Sequence, residues 1–222
     1  MEPMKSQSRP AFIEQLHSRL LHQPLPGETA HLRMAHAVRR ADPDRDPTQT
    51  KEAAVLLVLF EKIPGDWHMI FIRRTSRHEQ DKHAGQVAFP GGKRESTDPD
   101  LMYTALRETE EEIAIDLSAI DVLGPLSPLY ITVSKFLVHP YVAYSWKKPV
   151  LSRQEDEIEE ILEIPLSTFL ESGSRQETRI RLRGGIILNH VPAFHIEGHT
   201  IWGATAMIMS EFLQLLSDSL EA

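Results

Sequence analysis

The sequence predicts an α+β fold, with strands and helices layered but without regular βαβ alternation. Apolar runs of strand length recur through residues 51–222. A helix-periodic acidic segment, Pro99 to Ile113, sits among them, and a second helical segment, Ala204 to Leu216, closes the series. Ahead of this domain, residues 1–50 read as a helical arm with its linker.

Taken in order, Ala11 to Leu21 places apolar residues at 12, 13, 16, 20 and 21, the spacing of one helical face, and Pro24 and Pro26 bring that helix to an end. Glu28 to Arg40 is a second helical stretch. It stops at the proline-marked polar linker Asp42-Pro43-Asp44-Arg45-Asp46-Pro47. Ala53 to Phe60 is a continuous apolar run, and Pro64-Gly65-Asp66 separates it from Trp67 to Arg73, so the two make a natural hairpin. Further strands are expected at Gln86 to Phe89, Val122 to Tyr130, Phe136 to Tyr144, Glu157 to Ile164 and Ile180 to Leu188. Gly184-Gly185 and Gly198 punctuate turns late in the chain.

Composition narrows the function. At 222 residues, 41% hydrophobic and 25% charged, the chain can bury a real core and lacks the signature of disorder. Its 24 basic residues are outnumbered by 32 acidic ones, and a formal charge of -8 offers no general attraction to nucleic acid or to an anionic membrane. An anionic ligand must then be met by local cations or a bound metal. The absence of cysteine excludes disulfides, thiolate metal sites and a cysteine nucleophile together. No apolar run is long enough to span a bilayer and residues 1–9 lack the apolar stretch of a secretory signal, so a cytoplasmic protein is expected.

Asp98-Pro99 is a suitable helix start, a carboxylate for free N–H groups followed by a residue that fits the first turn. From there Met102, Ala105, Leu106, Thr109 and Ile113 form the expected buried face. At about 100° per residue, Glu108, Glu111 and Glu112 project from a neighbouring sector and should converge on a small volume. A solvated acidic face has the same composition, yet like charges one turn apart destabilise a helix unless something offsets them. Hard divalent cations take oxygen ligands and would do so. Arg107 precedes the cluster and can brace a carboxylate with two hydrogen bonds, and Phe89-Pro90-Gly91-Gly92 can bring backbone close to a ligand.

Gly92, the acidic Asp98 and Arg107-Glu108-Thr109-Glu110-Glu111-Glu112-Ile113 together resemble the Nudix box, G-x5-E-x7-R-E-U-x-E-E-x-G-U, where U is bulky and apolar. Asp98 stands where the family has Glu, with eight residues rather than seven between it and Arg107; Thr109 takes an apolar slot and Ala114 replaces the last glycine. The resemblance implies a Nudix-like α/β/α sandwich, a mixed sheet between the box helix and a C-terminal helix. It also implies Mg²⁺ or Mn²⁺ held by Glu108, Glu111 and Glu112, with Glu111 as ligand or general base and Arg107 in the catalytic machinery. Glu157 and Glu160 are the candidates for a base outside the box.

Upstream of the box, Arg73-Arg74-Thr75 and His83-Ala84-Gly85-Gln86-Val87-Ala88-Phe89-Pro90-Gly91-Gly92 resemble the signature of coenzyme A pyrophosphatases, which share the one-residue expansion of the box. Leu123-Gly124-Pro125, Val138-His139-Pro140 and Trp202-Gly203-Ala204-Thr205 resemble segments at the same relative places in that subfamily. The implied reaction is hydrolysis of coenzyme A or a derivative to 3′,5′-ADP and 4′-phosphopantetheine or its acyl form. The implied partner is therefore a CoA-like nucleotide, with neither nucleic acid nor membrane. Arg73, Arg74, Lys93 and Arg94 could meet its phosphates, His83 and Gln86 could hydrogen-bond it, Phe89 could stack on it, and Gly91 and Gly92 could admit it to the backbone. Trp202 is expected in the core. ADP-ribose or a dinucleotide is the alternative substrate, and a non-catalytic nucleotide-sensing module is the alternative of another class. Analogy with the family suggests a homodimer.

Overall fold

The computed structural model describes residues 8–37, 49–75, 84–182 and 185–217. The long apolar run becomes β1 (Lys51–Ile63), whose pairings organise the sheet. It runs parallel to β7 (Phe136–Ser145) on one side and antiparallel to β2 (Asp66–Arg74) on the other. The β1–β2 ladder ends at the Leu59–Met69 pair. Beyond it, β3 (Val87–Ala88) pairs with β2 and β4 (Gly91–Lys93) with β1, so segment 87–93 bridges the two diverging strands. With β5 (Ile120–Pro125) and β6 (Leu129–Ile131) on β7, and β8 (Ile158–Pro165) on β2, the sheet has eight strands.

Side chains alternate across β1. Leu56, Val58 and Phe60 join one core cluster with Ala105 and Ile113 of a helix, Leu101–Ile113, while Leu57 and Leu59 join another with Ala206, Ile208 and Phe212 of the terminal helix Gly203–Ser217. Because both faces of β1 are covered, the run is apolar at successive positions instead of alternating with polar residues. Helix, mixed sheet and helix thus form the expected α/β/α sandwich.

Ahead of the sheet lie α1 (Ala11–His22) and α2 (Gly27–Leu32); the helix 101–113 is α3, a short helix Leu166–Leu170 is α4, and the terminal helix is α5. α1 turns Ile13, Leu16 and Leu20 into the core shared with α5. His17 Nδ1 meets the Leu123 carbonyl at 2.8 Å, Arg19 donates to the Leu215 carbonyl at 2.9 Å, and Arg9 grips Asp121 at 2.6 and 3.1 Å. The apolar face of the arm is therefore covered by its own domain.

Several boundaries differ from expectation. The second helical stretch ends at Leu32, where tight backbone bonds of Met34 to His31 and Ala35 to Leu32 carry Met34 and Ala35 into the core; residues 38–40 lie outside the described residues. Val122 to Tyr130 divides into β5 and β6, because Ser127 N–H is used by the Glu211 carboxylate rather than by a ladder. Ile180 to Leu188 contains a chain reversal, not one strand. β9 (Arg175–Arg181), β10 (Ile187–Ile196) and β11 (His199–Trp202) form a separate three-stranded sheet, and Gly185 has φ +84° between the first two. Among the described residues, no helix is long and apolar enough to cross a membrane.

Candidate active site

α3 starts two residues later than its Asp98-Pro99 signal suggests. Asp100 is the cap, its carboxylate accepting from Tyr103 N–H at 2.7 Å. The buried side is Thr104, Ala105, Thr109, Glu112 and Ile113, whereas Met102, expected inside, is exposed. Polar residues are tolerated there because their hydroxyls are used. Thr104 donates to Asp98 at 2.9 Å, and Thr109, in the slot the box reserves for an apolar residue, donates to the Ala105 carbonyl at 2.6 Å. The helix ends on Ala114 in the left-handed region (φ 52°, ψ 35°), its N–H bonded to Glu110 O at 2.8 Å. That conformation explains why the box carries glycine at this position.

Asp98, freed from capping, is buried and receives Arg107 by two hydrogen bonds of 3.0 Å, with a third from Glu95 N–H at 2.9 Å. The Arg107 guanidinium, followed by the Glu95 bond, holds the Asp98 carboxyl far below the usual carboxylate range. Arg107 itself is held protonated by Asp98, and it reaches on to Glu108 and Glu111 at 3.0 Å each and to the Lys93 carbonyl at 3.3 Å. One guanidinium thus ties β4, the loop after it and the acidic helix together. The shorter acid with one extra residue of spacing preserves this brace.

Two glycines let the helix approach the sheet. A side chain on Gly91 (φ +142°) would meet the Ala54 carbonyl at 2.3 Å, and one on Gly92 would meet the Glu108 carboxylate at 2.3 Å. Bare backbone leaves Gly91 N–H pointing at Glu112 Oε2, 2.8 Å away, with Arg74 Nη1 at 3.4 Å from Oε1. Burial raises the Glu112 carboxyl to about 8; Gly91 and Arg74 oppose the shift, while the charges of Glu108 and Glu157 reinforce it. Glu108 is likewise raised by burial, against the pull of Arg107 and with the push of Glu111 and Glu157.

Glu108 and Glu111 both lie 3.0 Å from Arg107, and the charge of Glu111 acts on Glu108. Among the described residues, no three His, Asp or Glu side chains already stand as a closed ligand set. Glu108 and Glu112 share one side of the helix, while Glu111, 59% exposed, is turned to Arg107 because that cation lies one turn below it. Of the two candidates for a base outside the helix, Glu157 is the one whose charge acts on both Glu108 and Glu112, and its backbone carbonyl accepts from Thr75 N–H at 2.7 Å. Glu160 is elsewhere, paired with Arg73 across the β2–β8 ladder at 3.0 Å.

The substrate-binding candidates separate as well. Arg74 touches the buried carboxylate; Lys93 is exposed on β4; Arg94 is paired with Glu52 at 3.1 Å. Phe89 is not available for stacking on a ligand. It is buried, and its ring lies 4.7 Å from that of Phe71 in the core. His83 lies outside the described residues. Arg73 and Gln86 line a cavity of about 340 Å³ that also takes in Arg179, Arg181 and His199. Trp202, expected in the core, is only half-buried and borders this cavity. Sequence reasoning missed Arg179 and Arg181, although their period-2 spacing on one strand face was readable in Arg179-Ile180-Arg181.

The model of the NUDIX domain matches residues 36–180. The chain is 36% identical over 169 residues to the Nudix hydrolase NudL of Shigella flexneri, covering 76% of this chain and 84% of that one. It is 42% identical over 146 residues to NudL of Yersinia enterocolitica (65% and 72%), and 35% identical over 163 residues to Nudix hydrolase 22, chloroplastic, of Arabidopsis thaliana (72% and 53%). Among solved structures, a MutT/nudix family protein from Enterococcus faecalis shares the fold with a TM-score of 0.50 at 15% identity, over 96% of this chain and 76% of that one. The chain belongs to the Nudix family: it is a Nudix hydrolase, an enzyme acting on pyrophosphate bonds.

Such hydrolases generally need divalent metal ions such as Mg²⁺. The donors here fit one. They are all carboxylate oxygens, and Glu112 is buried beside the charges of Glu108 and Glu157, an arrangement that a hard cation offsets. The crowding falls at the C-terminal end of α3, where the helix dipole also disfavours negative charge and the last turn has no basic residue.

Proposed function

We propose that this enzyme hydrolyses the pyrophosphate of coenzyme A or a derivative, releasing 3′,5′-ADP and 4′-phosphopantetheine or its acyl form. The observation that carries the reading is the course of segment 84–93. Gln86 edges a basic cavity at one end of it, and at the other Gly91 N–H meets Glu112. A substrate with separated anionic groups, joined through a pyrophosphate, suits that path. The resemblance of the same segment to the coenzyme A pyrophosphatase signature supports it.

In this mechanism Glu108, Glu112 and Glu111 would hold Mg²⁺ or Mn²⁺. When bound, the cation neutralises pyrophosphate oxygens and lowers the pKa of water. Gly91 N–H and Arg74 fix the Glu112 carboxylate, and Arg107, itself fixed by Asp98, fixes Glu108. Glu157 takes the proton from the attacking water as its oxygen bonds to phosphorus and the bridging P–O bond breaks. Glu157 fills this role better than Glu160, whose carboxylate is committed to Arg73. Arg74 and Lys93 supply positive charge toward the phosphates.

Product identification after incubation with coenzyme A and Mg²⁺ or Mn²⁺ tests this reading. The expected products are 3′,5′-ADP and 4′-phosphopantetheine. Turnover of ADP-ribose or NADH with coenzyme A left intact would move the substrate to another nucleoside diphosphate derivative.

A further inference from the structure

At the end of β2, one residue from Arg74 and on the other face of the strand, the 340 Å³ cavity gathers Arg73, Arg179 and Arg181 in a chain whose overall charge is -8. Arg73 shares its charge with Glu160 at 3.0 Å and Glu159 at 3.5 Å. Arg179 donates only to the neutral Asn189 side chain, at 3.1 Å, and among the described residues neither it nor Arg181 is ion-paired. Both are exposed on β9, so their guanidinium groups are open to an anionic ligand. They stand two residues apart on β9, hence on the same face. The bulge between Leu188 and Val191 bends the β9–β10 hairpin that carries them.

The cavity is connected to the chemistry by backbone. Arg74 N–H donates to the Gln86 carbonyl at 3.1 Å and its own carbonyl accepts from Gly85 N–H at 3.0 Å, while its guanidinium lies against Glu112. Gly85 and Gln86 line the cavity. Arg73 and Arg74 are consecutive on β2, so the cavity and the buried carboxylate are reached from the two faces of one strand end. His199 and the half-buried Trp202 add ring surfaces to the same walls, beside the arginines.

We propose that this cavity receives the nucleoside end of the substrate, and that Arg179 and Arg181 bind a phosphate monoester on it, separate from the scissile pyrophosphate. The identity of that group as a 3′-phosphate rests on the coenzyme A reading above; the anion site itself does not. It distinguishes a nucleotide carrying the extra phosphate from one that lacks it.

Binding of 3′,5′-ADP and of 5′-AMP, measured by calorimetry on the full chain, tests the site without any turnover. The wild type should bind 3′,5′-ADP about tenfold or more tightly than 5′-AMP, the worth of a charge-assisted contact. In Arg179→Ala/Arg181→Ala the preference should vanish through loss of 3′,5′-ADP affinity, and Arg179→Lys/Arg181→Lys should restore part of it. Equal affinities in the wild type, or equal weakening of both nucleotides in the alanine variant, would overturn the proposal. Failure to hydrolyse coenzyme A would refute the substrate reading alone, since neither probe contains a pyrophosphate.

Discussion

Glu112 shows how closely backbone and charge cooperate at single positions. Its carboxylate is accommodated only because Gly91 and Gly92 lack side chains, one to clear β1 and the other to clear Glu108. Gly92→Ala should push the Glu108 carboxylate aside and lower metal-dependent turnover by about 10–100-fold, the range seen when a ligand's support is lost, as steady-state kinetics would record. The glutamate pair was legible because helical spacing alone puts residues four apart on one side. Glu111 was not, since its direction is chosen by Arg107, and Phe89 was not, since its environment is set by Phe71 on another strand. Phe89→Ala should therefore act on stability, costing about 3–5 kcal/mol in urea unfolding, with no specific effect on substrate affinity.

Among elements, α3 bears the most strain for function. Four glutamates lie within residues 108–112, at the unfavourable end of its dipole, and the chain leaves the helix through a left-handed alanine. The left-handed conformation costs an L-residue about 1–2 kcal/mol, partly offset by the greater unfolded freedom of glycine. Ala114→Gly is thus expected to raise stability by about 0.5–1 kcal/mol in chemical denaturation; a destabilisation would mean that the alanine methyl packs usefully. The β1–β2 hairpin and the terminal helix were readable from periodicity and turn residues. The start of α3 was not, because Asp98 and Asp100 are equally good caps locally and the choice falls to the distant Arg107, which claims Asp98. By contrast, the turn signal Gly184-Gly185 was readable, and Gly185, at φ +84°, lies between β9 and β10 and divides Ile180 to Leu188.

At the scale of the molecule, the arm and α5 complete what the family-matched segment, residues 36–180, leaves open. Their meeting point is Glu211, fully buried, which accepts from His31 at 2.9 Å, Gly27 N–H at 3.1 Å and Ser127 N–H at 3.2 Å. Burial alone would raise this carboxyl, but the hydrogen bonds from His31 and Ser127 outweigh it and hold the group below its ordinary 4.5. A depressed folded pKa gives stability that is present above the unfolded value and lost as pH falls through the folded one. Wild-type stability should consequently decline below pH 4.5. Glu211→Gln should make that acid limb shallower, leaving the part that Asp98 contributes, while losing about 2–3 kcal/mol at neutral pH, read from denaturation at a series of pH values. An acid limb as steep as the wild type's would show that Glu211 does not set it. The helical arm was visible in the sequence, but its anchor was not, for Glu211 lies in an otherwise apolar helix and its partners come from residues far away in the chain.

The central claim is that carboxylates on α3, with Glu112 the most buried of them, hold the cation that drives pyrophosphate hydrolysis. The most direct measurement is metal-dependent turnover of Glu112→Gln on the substrate that the wild type hydrolyses fastest, beside its circular dichroism and thermal melt. Glutamine keeps the acceptor for Gly91 N–H, so the fold should persist while turnover falls by about 100-fold or more. Wild-type turnover in a folded Glu112→Gln variant would contradict that claim.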